Sequence, residues 1–131
     1  MSKIAKVIFN KTELVLLLQV ADTDILREHG LMNVKYLDDK SGMLFIFNDN
    51  YNLSFWMYRT YIPLTVLFIN SRMKIVDIQS MESCFEENKN MCNKYISREP
   101  AKYAIEVNKG FHQKYAINIG DYITIDNIYY S

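Results

Sequence analysis

The apolar residues of this chain come in short runs of strand length, and that spacing constrains the fold more than any other feature of the sequence. Residues 42–47 read GMLFIF and are followed at once by Asn-Asp-Asn. A continuous apolar run between turn-forming residues is typical of a strand that is buried on both faces. The longest aliphatic run, LVLLL at 14–18, is far shorter than the roughly 20 residues that a membrane-spanning helix needs. We therefore expect short strands rather than long helices.

Two pairs of runs have the spacing of β-hairpins. Residues 3–9 and 12–21 flank Asn10-Lys11, and residues 64–70 and 73–79 flank the polar tip Ser71-Arg72. Two-residue breaks between β-prone runs favour such hairpins. Period-two alternation also predicts the faces of residues 64–69. These are Leu64, Val66 and Phe68 on one side, and Thr65, Leu67 and Ile69 on the other.

A short helix is predicted between the first hairpin and residues 42–47. Asp22 or Thr23 can cap its start, and Gly30 can end it. Ile25 and Leu26 are predicted to form its buried face.

The rest of the chain continues the β pattern. Residues 54–60 are predicted as a strand that Pro63 brings to an end, because proline cannot donate to a strand ladder. Residues 82–100 are predicted as a loop with one helical turn. The last predicted elements are a strand at 101–107, a helical turn within 108–117, a Gly120-Asp121 turn and a final strand.

These elements predict a mainly β fold with two short helices (α+β). Seven or eight short strands without a βαβ rhythm favour a compact, mostly antiparallel β-barrel or barrel-like sandwich. A chain of 131 residues is about one domain long, so we expect residues 1–131 to form a single globular domain.

The charge balance argues against polyanionic partners. Lys plus Arg and Asp plus Glu are both 15, with 7 against 7 in residues 1–65 and 8 against 8 in residues 66–131. Without a basic excess, we expect neither nucleic acid nor a membrane surface as a partner. Lys11 and Glu13 interrupt the apolar N-terminal stretch, which makes a signal peptide a poor fit. We therefore expect a cytoplasmic protein, of undefined oligomeric state.

An ordered series of short motifs points to a known family. The motifs are LQVADT, HGLM at 29–32, GMLFIF, FWM at 55–57, Thr60, IPL at 62–64, FI at 68–69, YAIEVNKG at 103–110 and IGDYI at 119–123. In this order they resemble the family called domain of unknown function 192, over residues 18–125. The resemblance implies a compact, mainly β fold and no established activity. The family often has Asp where this chain has Thr65, and a basic residue near Asn33-Val34, so no ligand role is carried over to those positions.

The stretch around the single tryptophan offers a candidate site. As a strand, residues 54–60 would place Trp56 and Thr60 on one face, where an apolar plate beside a hydroxyl suits the wall of a ligand cleft. Alternatively, Trp56 anchors the core and its indole N–H binds a backbone carbonyl. Arg59 is expected at the strand end with its head in water.

Two acidic residues interrupt apolar strands. Glu106 lies between Ile105 and Val107, and it either faces inward as a buried or cleft-lining carboxylate or faces outward as ordinary solvation. Asp77 poses the same question.

No metal or cofactor is predicted. Cys84 and Cys92 are eight residues apart, which is not a zinc-site spacing, and either a local disulfide or two free thiols accounts for them. His29 and His112 are each predicted near a helix end, where a histidine interacts favourably with the helix dipole, so a structural role is sufficient for both. The four glycines do not form a phosphate-binding loop.

The leading hypothesis is therefore a module that binds a small ligand or a peptide near Trp56, with polar contacts from Thr60, Tyr95 and Glu106. The alternative is a hydrolase that uses the Cys84 thiol, or Asp77 and Glu106 about 5–10 Å apart. A structural or partner-binding module would instead show an exposed apolar patch.

Overall fold

The computed structural model describes residues 2–130, which form nine strands, two short helices and one 3₁₀ turn. The strands are β1 (Lys3–Phe9), β2 (Leu14–Ala21), β3 (Gly42–Tyr51), β4 (Ser54–Phe55), β5 (Leu64–Ile69), β6 (Ile75–Met81), β7 (Tyr95–Ile96), β8 (Ala101–Asn108) and β9 (Ile123–Tyr130). The helices are α1 (Asp24–His29) and α2 (Phe111–Lys114), and the 3₁₀ turn is Lys89–Met91. The predicted mainly β fold with two short helices is confirmed. None of the helices in residues 2–130 is long and apolar enough to cross a membrane.

Seven strands form one curled sheet in the order β6-β5-β8-β3-β2-β1-β9, and β4 pairs with β7 separately. The strand ladder does not close into a barrel. Its two edges do meet at one end, where Lys74 and Tyr122 form an isolated bridge. Next to this bridge the Ile75 N–H donates to the Asp121 carbonyl, and the Gly120 N–H donates to the Ile75 carbonyl, both at 2.8 Å. The expected barrel-like architecture therefore fits only loosely.

The connection between β2 and β3 differs from the expected pattern. These two strands pair in parallel, with Gln19 opposite Met43, whereas the other strand pairs are antiparallel. A parallel pair needs a crossover connection, and the chain between the two strands contains α1. The fold therefore has one β-α-β unit, although the sequence showed no βαβ rhythm.

The boundaries of α1 agree with the prediction, but its buried face does not. Thr23 caps the helix by accepting a hydrogen bond from the Leu26 N–H, and Gly30 ends it with a φ of 51°. The predicted burial of Ile25 and Leu26 is wrong, because they are 79% and 44% exposed. A polar side chain holds the helix instead: the Arg27 guanidinium donates to the Ile46 carbonyl at 2.8 Å.

The two faces of the sheet carry separate apolar clusters. All seven strands contribute to one cluster, here called the inner cluster, which lies on the face that the curled sheet encloses. The other, the outer cluster, covers β3, β5, β6 and β8 from the opposite side and includes residues of β4 and the nearby loops. The predicted alternation of β5 is confirmed, because Leu67 and Ile69 belong to the inner cluster and Leu64, Val66 and Phe68 to the outer one.

The predicted strand at 54–60 ends early. Only Ser54 and Phe55 pair with β7. The chain then turns: the Thr60 N–H donates to the Met57 carbonyl at 3.1 Å, and Arg59 has a φ of 54°, which a strand does not allow. The Arg59 side chain is exposed as expected, and its Nε donates to the Tyr58 hydroxyl at 3.0 Å.

The approach of β3 to β8 depends on the absence of a side chain at Gly42. A Cβ there would lie 2.2 Å from the Glu106 carbonyl oxygen, far inside van der Waals contact. We therefore expect Gly42→Ala to lower the free energy of unfolding by about 1–3 kcal/mol, the usual cost of overpacking. Urea denaturation measures this cost, and Ser80→Ala, at an exposed position of β6, is the control. Equal denaturation midpoints for both variants would contradict the prediction.

Candidate ligand-binding cleft

A cleft opens on the outer face of the sheet, between α1 and the turn that follows β4. Its volume is about 260 Å³, near the lower end of the roughly 300–1,000 Å³ typical of small-molecule pockets. Its lining combines apolar and aromatic side chains with about as many polar and charged ones. The lining residues are Arg27, Glu28, His29, Gly30, Leu31, Met32, Phe45, Phe47, Ser54, Phe55, Trp56, Tyr58, Thr60, Lys94 and Glu106.

Trp56 forms part of the cleft wall. Its side chain is half-buried, and it belongs to neither apolar cluster. The ring centre lies 5.6 Å from that of Tyr58. The ammonium groups of Lys89 and Lys94 lie 5.5 Å and 5.2 Å from the indole ring centre, within the range of a cation–π interaction. The alternative that Trp56 anchors the core therefore does not describe its position.

The structure brings three of the four predicted site residues together. Trp56, Thr60 and Glu106 all line the cleft, and Thr60 is only 5% exposed. Tyr95 lies elsewhere, in a second cavity of about 230 Å³ beside Met57 and the Cys84 segment. Its hydroxyl accepts a hydrogen bond from the Glu82 N–H at 3.2 Å, so it helps to hold this loop.

Glu106 is the buried acid of the cleft. It lies on β8 with Met43 and Val66 beside it on the neighbouring strands, and it is 4% exposed. Gly30 leaves room next to it, since a Cβ there would lie 3.8 Å from Glu106 Oε1. Within residues 2–130, the side chain makes no hydrogen bond or ion pair. Burial raises the pKa of Glu106 to about 8, because the low-polarity surroundings disfavour the charged form.

Asp77 is also buried, but its contacts are structural. Its carboxylate accepts hydrogen bonds from the Ile78 N–H (2.9 Å), the Gln79 amide (2.7 Å) and the Arg98 N–H (3.0 Å). It does not line the cleft. Asp77 therefore joins β6 to the chain before β8, and it does not face Glu106 across the cleft.

The two cysteines form a disulfide, which decides between the two alternatives that the sequence left open. The Cys84 N–H donates to the Met57 carbonyl at 3.1 Å, and the Arg59 N–H donates to the Cys84 carbonyl at 2.9 Å. The disulfide loop is thus attached to the turn that carries the cleft wall. In this bonded state Cys84 offers no thiolate nucleophile.

The histidines have different surroundings. His29 lines the cleft and is exposed. His112 lies on α2, outside the cleft, and its Nδ1 is buried without a hydrogen-bond partner. Within the part of the chain that the structure describes, no three His, Cys, Asp or Glu side chains cluster as metal ligands.

Sequence reasoning missed several residues of the cleft. Arg27 and Lys94 gave no signal, because they lie on a short helix and a loop whose positions depend on the tertiary fold. Phe45 and Phe47 had a usable signal: strand alternation places them on the same face as Met43, which lies opposite Glu106.

The comparisons place this fold among known proteins. A family model described as "Uncharacterized ACR" (DUF192) matches residues 6–125. A crystal structure of a proposed transcription regulator from Sinorhizobium meliloti is 28% identical, with a TM-score of 0.76, and the match covers 95% of this chain and 93% of that one. A protein of unknown function from Novosphingobium aromaticivorans shares the fold at 24% identity, with a TM-score of 0.76 and coverages of 92% and 83%. No curated protein matches the sequence.

The contacts of Asp77 predict the effect of its amide variant. Asp77→Asn turns one accepting oxygen into an NH₂ donor that would face other donors, so we expect a loss of about 1–3 kcal/mol in the free energy of unfolding. Urea denaturation measures the loss. Asp126→Asn is the control, since Asp126 is half-exposed and its ion pair with Lys6 is long, at 3.5 Å. Unchanged stability of Asp77→Asn would show that these hydrogen bonds are not structural.

The burial of Glu106 predicts a pH-dependent stability. Because its pKa rises from 4.5 to about 8 on folding, the folded state holds a proton that the unfolded state releases in this interval. The wild type should therefore lose stability relative to Glu106→Gln as the pH rises from 4.5 to 8, at up to about 1.4 kcal/mol per pH unit. Denaturation midpoints across this range measure the difference. Parallel pH profiles for the two proteins would rule out a buried, unpartnered acid.

Proposed function

Because this chain belongs to the DUF192 family, which is described only as uncharacterized, we propose a function from the cleft itself: it binds a small ligand or a short peptide segment. Trp56 provides an apolar wall, and Thr60 and Glu106 provide the polar contacts. One observation carries the proposal. Glu106 is 4% exposed, lines a cavity and has no partner for its carboxyl group within residues 2–130.

The physical reason is the cost of burying such a group. Burial disfavours the charged form of such an acid, and the Glu106 oxygens are not among the fully buried, unpartnered side-chain atoms of residues 2–130, so they remain open to the cleft. Buried acids with perturbed pKa values in clefts are therefore candidates for functional groups. A ligand that donates to Glu106 offsets the cost when it binds, whereas Asp77 already has its donors within the protein.

The shape and lining of the cleft also support small-ligand binding. A volume of about 260 Å³ admits a small metabolite or one side chain of a peptide, but not a large cofactor. Aromatic and apolar side chains are typical of ligand pockets, and here polar and charged side chains line the cleft in similar number.

The hydrolytic alternative has less support than binding. Its thiol version needs a free Cys84, which is bonded to Cys92. Its carboxylate version needs Asp77 beside Glu106 in one pocket, and of these two acids only Glu106 lines the cleft. We therefore propose a binding role without catalysis.

The proposed partners do not include nucleic acid, although one relative is described as a proposed transcription regulator. The equal numbers of acidic and basic residues, 15 of each, provide no excess positive charge for a phosphate backbone. The cytoplasmic location stays a prediction. The Cys84–Cys92 disulfide is of a kind more typical of oxidising compartments.

Trp56 makes the proposal directly testable, because it is the only tryptophan and lies in the cleft wall. We expect ligand-observed NMR with a collection of neutral, cationic and anionic fragments to find binders that change the Trp56 fluorescence. Trp56→Ala should weaken their binding about tenfold or more, since aromatic contacts dominate small binding sites.

Tyr36→Ala, which removes an aromatic ring that is 77% exposed and does not line the cleft, is the matched control and should bind like the wild type. Absence of binders in the collection, or equal binding by Trp56→Ala, would contradict the proposed function.

A further inference from the structure

We propose that the cleft recognises a protonated amino group, an ammonium or guanidinium, that pairs with Glu106 while the apolar body of the ligand packs against the aromatic wall. This inference rests on the proposed function and names the class of ligand. A free amine and the lysine side chain of a peptide present the same chemistry, and the experiment below separates them.

Within residues 2–130, no cationic side chain forms an ion pair with Glu106. The residues opposite it on β3 and β5 are Met43 and Val66. At the end of α1, the residue beside Glu106 is Gly30. These three neighbours are uncharged, so none of them provides an ion-pair partner for an ionised Glu106.

The cationic side chains that line the cleft, Arg27 and Lys94, make contacts with residues other than Glu106. Arg27 pairs with Asp24 at 2.7 Å and donates to the Ile46 carbonyl. Lys94 lies over Trp56. At the mouth, Glu28 is paired with Lys89 at 3.7 Å.

The remaining titratable groups of the lining are His29, which is exposed, and Tyr58, whose hydroxyl accepts from Arg59. Neither of them makes a hydrogen bond or an ion pair with Glu106. Arg27 and Lys94 also line the cleft, so the uncharged surroundings are those of Glu106 itself, namely Met43, Val66 and Gly30.

Cations lie close to the aromatic rings of this cleft. The Trp56 ring lies beneath two ammonium groups, and the Arg27 guanidinium lies 5.1 Å from the Phe47 ring centre. Ring faces attract cations through their quadrupole, most strongly where water is excluded. These ring faces already hold cations of the chain itself, so a ligand cation gains the attraction where it shares a ring with Lys89, Lys94 or Arg27 or displaces one of them. A neutral hydroxyl group gains only the hydrogen bond to Glu106.

Binding has a defined proton balance. With a pKa of about 8, Glu106 is mostly a neutral acid at pH 7. A bound ammonium favours the carboxylate, so the acid gives its proton to the buffer as the ion pair forms. With this pKa, about 0.9 proton is expected to leave per cation bound at pH 7 and about 0.5 proton at pH 8.

Three probes of matched shape test the assignment: benzylamine, benzyl alcohol and sodium benzoate. Each is titrated against Trp56 fluorescence and by calorimetry, in two buffers with different ionisation enthalpies. We expect benzylamine to bind about tenfold more tightly than benzyl alcohol, with benzoate weakest, and the calorimetry to show release of about one proton. The proton count uses the wild-type protein, so it does not depend on how well a variant folds.

Variants place the recognition at the floor of the cleft. Glu106→Gln should abolish both the preference for benzylamine and the proton release. Glu99→Gln removes an exposed acid that does not line the cleft and should change the preference less than about twofold, because a solvent-screened surface charge contributes little. Circular dichroism verifies that both variants are folded.

A fourth probe separates the two sources of the ammonium group. Tighter binding of Nα-acetyl-lysine-N-methylamide than of benzylamine assigns the group to a peptide, and the reverse order assigns it to a free amine; both results support the proposal. Equal affinities for benzylamine and benzyl alcohol, tighter binding of benzoate, or no proton release would overturn it, even where the fragment collection yields binders. Failure of that collection contradicts the binding function itself, so the two failures are distinguishable.

Discussion

The pairing of β3 with β8 is the constraint on which both the core and the cleft depend. Gly42 allows the two backbones to approach closely, and this fixes which residues lie opposite each other. Leu44 and Ile105 then point into the inner cluster. Their neighbours Phe45 and Glu106 point to the outer face, where the cleft lies. The same set of backbone hydrogen bonds thus positions an apolar core on one side and a buried acid on the other.

The cavity itself comes from departures from regular structure. Gly30 ends α1 with a positive φ and leaves space beside Glu106, and the positive φ of Arg59 turns the chain so that Thr60 reaches the cleft. The Cys84–Cys92 loop is hydrogen-bonded to this turn. Regular strands supply the rigid floor, and short irregular segments supply the walls, which is a common division in binding proteins.

Local patterns predicted most of the fold, because alternation and turn residues act over a few positions. The faces of β5, the Thr23 cap and the strand at 101–107 followed from such patterns. Three features did not: the parallel pairing of β2 with β3, the exposure of Ile25 and Leu26, and the turn after Phe55. Each depends on contacts between distant parts of the chain, such as the Arg27 hydrogen bond to Ile46. Alternation within one strand likewise singled out Trp56, Thr60 and Glu106, which line the cleft, whereas Arg27 and Lys94 gave no such local pattern.

The separation of the two apolar clusters has a consequence for how such a protein can evolve. Substitutions in the cleft wall alter the outer face, while the inner cluster, to which all seven strands of the sheet contribute, keeps its packing. Because substitutions without shared contact partners affect stability nearly independently, the side chains of the cleft wall can change without first improving the fold. Relatives with this architecture can therefore differ in the lining of the cleft over one shared scaffold.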